Sequence, residues 1–237
     1  MIKVNTVLLS TAVSLAVIHT VIGVDHYIPF VAMSKVNKWN FAKTMLIVAI
    51  CGAGHVLSSV VLGLIGIWFG SQLSSIVGIE DFRAELAVWF LIAFGAIYML
   101  WGIAKAIKNK PHSHILSDGS EVWHNHHDQH SGEPVSNHSE RNGMSRSFWP
   151  LFVLFVLGPC EPLIPLLMYP AAEGGMLSVT VVAILFSVCT IGTMLFCAAV
   201  VLKGVNMIPM KKLERYAHSL AGFAIFMCGM AMQCLGI

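Results

Sequence analysis

Six long apolar runs dominate the chain, at about 7–29, 42–69, 86–107, 148–169, 177–202 and 215–236. Each approaches or exceeds the roughly 20 residues a helix needs to cross the hydrocarbon layer of a bilayer. Only 11% of the 237 residues are charged and 57% are hydrophobic, against about 25% charged in a soluble domain. A soluble core could not bury six such helices in so short a chain. The expected fold is therefore an all-α polytopic membrane protein with six transmembrane helices.

Basic side chains set the expected orientation, because lysine and arginine collect in short cytoplasmic loops. The first connection carries Lys35, Lys38 and Lys43; the third Lys105, Lys108, Lys110, Arg141 and Arg146; the fifth Lys203, Lys211, Lys212 and Arg215. Twelve of the 14 basic residues thus share one side, leaving Lys3 and Arg83 on the other. This predicts both termini outside the cytoplasmic membrane of a prokaryotic cell. Lys3 precedes an apolar run too long for a signal peptide, with no small-residue cleavage site after it, so the run is taken as the first helix. All six cysteines fall in the apolar runs with no C-x-x-C pair, which argues against a disulfide framework. Nothing in this pattern suggests a nucleic-acid partner; the bilayer itself is the expected environment.

Three segments follow: a first three-helix repeat at 1–108, a polar loop at 109–147 and a second three-helix repeat at 148–237. The loop holds seven of the 11 histidines: His112, His114, His124, His126, His127, His130 and His138. Serine, asparagine, glycine and aspartate fill most of the rest, so disorder is expected, with loose capture of metal ions by imidazole. The halves resemble each other at GVDHYIPF and GPCEPLIP, where Gly23 matches Gly158, Asp25 matches Cys160 and His26 matches Glu161. Three helices per half invert the second copy, an arrangement common among secondary transporters.

Ionisable groups at membrane depth cost about 2.5–3.5 kcal/mol each on insertion scales and usually face a cavity or a partner. Here they are His19, Asp25, His26, His55, Cys160 and Glu161. In a regular helix His19 and His26 share a face but stand about 10 Å apart, too far to hold one ion. Asp25 and His26 diverge by about 100° and could serve one ion only if the backbone unwinds, which Gly23 and Pro29 permit. Pro159, Pro162 and Pro165 break the fourth run near its middle and free backbone carbonyls there. Imidazole, carboxylate and thiol together suit a borderline divalent ion, Ni²⁺, Co²⁺ or Zn²⁺, better than Ca²⁺.

HTVIGVDH followed by GAGHVLSS resembles the nickel/cobalt transporter family, whose signature is a histidine, four residues, Asp-His, then a Gly-His element in the next helix. Here the first histidine stands at His19, one place from the signature's spacing. Six spans with a His-rich loop resemble that family's efflux branch, and the urease-accessory-type and sulfite-exporter-like membrane proteins share the plan. The resemblance implies a permease, not an enzyme, carrying Ni²⁺ or Co²⁺ (or Zn²⁺) as a transported substrate, with no tightly bound cofactor and export slightly favoured. It implies Asp25, His26 and His55 as metal ligands; the reading of the intramembrane polar residues adds Glu161, Cys160 and His19 to the candidate metal site. A homo-oligomer or a metallochaperone would be a natural partner. GPCEPLIPLL resembles instead the Pro-Cys helices of thiol–disulfide electron carriers related to cytochrome c biogenesis, which implies a transmembrane redox carrier using Cys160. That alternative ranks below metal transport here, because Asp25 stands where the first half would need its cysteine.

Overall fold

The first apolar run does not remain one helix. In the computed structural model, which describes residues 6–68, 73–108, 112–115, 121–124, 149–158, 160, 162–172, 175–207 and 216–235, helix α1 (Thr6–Ile22) stops before Gly23. A single 3-10 turn, Val24–His26, follows, and α2 (Ile28–Val36) leaves at 81° to α1. Then come α3 (Phe41–Trp68) and α4 (Leu73–Lys108). Strands β1 (His112–Ile115) and β2 (Glu121–His124) form an antiparallel hairpin in which His112 is opposite His124. Helix α5 (149–157), α6 (Leu163–Ala172), α7 (Met176–Asn206) and α8 (Ala217–Leu235) complete the order.

The expected count of six spans is not what the structure displays. Among the described residues four helices are long and apolar enough to cross a membrane, and a fifth crossing is added when the bent α1–α2 pair counts as one. The run at 148–169, expected as the fourth span, is divided between α5 and α6, because proline cannot donate to a helical ladder. Large apolar side chains still face outward along the long helices, among them Ile97, Val188 and Phe196 at 65–69% exposure. In water that surface would be a liability; in lipid it is the ordinary exterior of a polytopic membrane protein. The hairpin occupies part of the loop expected to be disordered. His126, His127, His130 and His138 lie outside the described residues.

Lipid supplies no hydrogen bonds, so each backbone group freed by a break needs a partner within the protein. The second break accounts for its groups one by one. Gly158 N–H still reaches Leu154 O at 2.9 Å. Position 159 is proline and offers nothing to Phe155 O, which receives His55 Nδ1 of α3 at 3.2 Å instead. Cys160 N–H turns away to Ser59 Oγ at 3.1 Å, and Val156 O, its helical acceptor, is taken over by Arg83 Nη2 at 2.8 Å. The same guanidinium nitrogen donates to Ser58 Oγ at 2.9 Å. Cys160 O then accepts Leu163 N–H at 2.9 Å, starting α6. The first break is closed in a similar way: Gly23 N–H keeps His19 O at 2.9 Å, and Tyr27 hydroxyl donates to the freed Val21 O at 3.1 Å.

Around these breaks lie two apolar clusters. One gathers Phe30, Met33, Val48, Cys51, Phe155, Met194 and Ile225 from five helices. The other holds Ala12, Ala16, Val56, Cys160, Leu163, Leu167 and Phe186, with Cys189 packed against it. The most extensive helix pairing is α4 with α8. Glycines at seven-residue spacing on each helix, Gly95 and Gly102 against Gly222 and Gly229, bring the two backbones together. A methyl group at Gly102 would strike Ser219 backbone, and one at Gly222 would strike Met99 backbone. At one end of the bundle Lys35 Nζ donates to Asn206 Oδ1, joining the ends of α2 and α7. Lys105 Nζ donates to His218 Nε2 at 3.1 Å, joining α4 to the start of α8.

Two outcomes follow for stability, read as unfolding temperature in detergent. Gly102→Ala and Gly222→Ala should each cost about 1–3 kcal/mol through overpacking, whereas Gly192→Ala and Gly204→Ala, with open space around the new methyl, should hold or raise stability. Arg83→Ala strips donors from Val156 O and Ser58 Oγ and should cost about 1.5–3 kcal/mol. An unchanged unfolding temperature in Arg83→Ala would remove α4 from the account of the break.

Candidate functional site

The 3-10 turn places its polar side chains inward. His26 is 3% exposed, and its ring stands edge-on to two others: His19 at 4.8 Å between centroids and His55 at 5.0 Å. His19 belongs to the last turn of α1 and His55 to the middle of α3, so three elements meet at one point. One ring nitrogen from each of the three comes within 4.8 Å of the others. The separation of about 10 Å expected between His19 and His26 assumed a straight helix. The 81° bend at Gly23 folds His26 back toward His19 and removes that objection.

The tautomers follow from the acceptors. His26 Nδ1 lies 3.0 Å from Gly23 O and 3.1 Å from Asp25 Oδ1. A carbonyl oxygen only accepts, so Nδ1 carries the proton and donates. His55 Nδ1 donates to Phe155 O by the same reasoning. Asp25 therefore bonds to its neighbour His26, an ion pair only when that ring is protonated. On the opposite edges of the rings, Nε2 of His19, His26 and His55 is buried with no hydrogen-bond partner among the described residues. The three rings and Asp25 line a cavity of about 70 Å³, closed on its apolar side by Val88, Leu91 and Leu154, with Met232 at its wall.

The structure thus brings together four of the six expected intramembrane residues: His19, Asp25, His26 and His55. Cys160 does not line that cavity; it is fully buried in the second apolar cluster, beyond Gly158. Glu161 lies outside the described residues. The cysteines Cys51, Cys160, Cys189, Cys197, Cys228 and Cys234 are all unbridged. Sequence reasoning missed Ser59, Arg83 and Phe155. A signal for Arg83 was present, since it is the lone basic residue of the second connection. Its target, Val156 O, becomes available only because the Cys160 amide turns to Ser59.

The family model for the cytochrome c biogenesis protein transmembrane region matches residues 27–231. No curated protein and no solved structure matches the chain. The family match overturns the expected membership of the nickel/cobalt transporter family and of its urease-accessory-type and sulfite-exporter-like relatives. With it goes the expected function, a permease exporting Ni²⁺ or Co²⁺ as substrate. The reason is one of extent: HTVIGVDH and GAGH are short motifs, and HTVIGVDH lies wholly before residue 27, where the match begins. The likeness of GPCEPLIPLL to the Pro-Cys helices of cytochrome c biogenesis, ranked second from the sequence, falls within the matched stretch. The chain belongs to the family of the cytochrome c biogenesis protein transmembrane region.

Proposed function

We propose that this chain carries reducing equivalents across the membrane by thiol–disulfide exchange, with Cys160 as the exchanging sulfur. The observation that carries the reading is the position of Cys160. It is the one cysteine among the described residues that lies outside regular helix, at a break within the stretch that matches the family. Its amide bonds to a side chain on another helix rather than to its own ladder, so the backbone there is bound by single contacts that can be exchanged. Cys160 is also fully buried, and exchange requires α6 to swing from α5 about that point.

A second thiol completes the chemistry. Cys189 packs against the cluster that contains Cys160, whereas Cys51 and Cys228 belong to the other cluster. Cys160 thiolate attacks the disulfide of a substrate protein, forming a mixed disulfide and releasing one substrate sulfur, which takes up a proton. Cys189 thiolate then attacks Cys160 Sγ, releasing the second substrate sulfur and leaving a Cys160–Cys189 disulfide. Two electrons have passed to the substrate. A dithiol protein on the opposite face restores the pair by the same steps in reverse and is itself oxidised.

The same reading treats α5–α6 as a sixth, broken crossing, which gives two inverted halves of three. In support, both breaks begin at the glycines aligned from the sequence, Gly23 and Gly158, and both keep the amide of that glycine on the carbonyl four residues back. The basic first, third and fifth connections are placed in the cytoplasm, consistent with the Lys35–Asn206 and Lys105–His218 contacts that join the helix ends flanking them.

The test is reduction of a disulfide reporter on the outer face of cells expressing the chain. Cys160→Ser should abolish reduction and Cys189→Ser should lower it strongly, with both variants present in the membrane at wild-type level. Wild-type reduction by Cys160→Ser would overturn the reading.

A further inference from the structure

Thiol exchange makes no use of the three histidines. His19, Asp25 and His26 all precede residue 27, where the family match begins, so family membership accounts for none of them. Burying three imidazoles whose Nε2 atoms have no partner among the described residues is costly, since a buried polar atom stripped of water and left unbonded is destabilising. Packing alone would favour apolar side chains at these positions. The arrangement needs a ligand that accepts several nitrogen lone pairs at once.

From this geometry we propose that His19, His26 and His55 form a resident binding site for a single transition-metal ion of the zinc and copper class. Neutral imidazole suits these ions. The protons of His26 and His55 are fixed on Nδ1 by Gly23 O, Asp25 Oδ1 and Phe155 O, which leaves the Nε2 lone pairs for the ion. The Asp25–His26 contact reproduces the carboxylate–histidine–metal arrangement that orients a ligating ring and raises its basicity. Asp25 also supplies a negative charge that offsets the cation in a medium of low polarity. Nitrogens each about 2.0–2.1 Å from a tetrahedral ion stand about 3.4 Å apart, so the rings close by an ångström or so on loading. Three protein ligands leave a fourth position open, and the cavity of about 70 Å³ has room for a water molecule there. Gly23 is part of the design: a methyl group at that position would press on His26 Cε1 from 2.8 Å and lie closer still to Nδ1.

The experiment uses the full-length chain in detergent, with the seven loop histidines changed to asparagine so that the loop contributes no ion. After chelator treatment and dialysis it is titrated with Zn²⁺, with Cu⁺ under anaerobic conditions, and with Co²⁺ as a spectroscopic stand-in for zinc. One equivalent should bind tightly, and Co²⁺ should give the visible absorption of a nitrogen-ligated tetrahedral site. His26→Gln and His55→Gln should each weaken binding by about 100-fold or more, and Asp25→Asn by about 10–100-fold. Gly23→Ala, which leaves every donor in place, should weaken it by about tenfold. Cys160→Ser should bind as the parent does, which separates this site from the thiol chemistry. Unfolding temperatures of the apo variants identify any that fail to fold, and Asp25→Asn and Gly23→Ala then decide the matter. The proposal is overturned if the loop-substituted chain takes up no ion, or if the His26→Gln/His55→Gln double variant still binds one equivalent tightly.

Discussion

Backbone carbonyls released inside a membrane must be met by donors from the protein, and this one demand organises the molecule. Where the fourth apolar run breaks, Phe155 O and Val156 O lose their helical partners, and His55 of α3 and Arg83 of α4 replace them. Ser59, one turn beyond His55, takes the Cys160 amide. Helix α3 thus holds the break from one side while it presents His55 to the cavity. A single residue serves both places: Nδ1 of His55 closes the broken helix, and its Nε2 faces His26 and His19. The break and the histidine cavity thus share one side chain.

The two breaks share a plan and differ in chemistry. Each begins at a glycine whose amide stays on its own helix; Pro29 opens α2 after the first, and prolines recur at 159, 162 and 165 after the second. In the first half the turn carries Asp25 and His26 into a polar cavity. In the second the corresponding place carries Cys160 into an apolar cluster. A thiol in apolar surroundings and imidazoles beside a carboxylate are two chemically different environments, each next to a helix break. The tight seam of α4 on α8, glycine against backbone, provides a close-packed wall beside the break.

Much of this was legible in the residues. The prolines of GPCEPLIP announced a break, and the apolar runs announced a membrane protein. The proximity of His19 to His26 was not legible, because helical geometry places them about 10 Å apart and nothing local reveals an 81° bend. Arg83 was visible only as a charge in a loop; its role depends on a carbonyl freed 73 residues away. The family, too, is carried by the less conspicuous part of the sequence. HTVIGVDH is the more conspicuous motif, but the matched stretch starts at residue 27 and contains GPCEP.

The proposed exchange requires Cys160 to form a covalent link with a protein partner. The most direct measurement is a non-reducing gel of the Cys189→Ser chain, acid-quenched and alkylated from growing cells. With the resolving thiol gone, a discrete adduct that disappears on reduction and is missing when Cys160→Ser is added is the result expected. A Cys189→Ser chain that migrates only as free protein, under conditions in which wild-type cells are reducing the outer-face reporter, would contradict it.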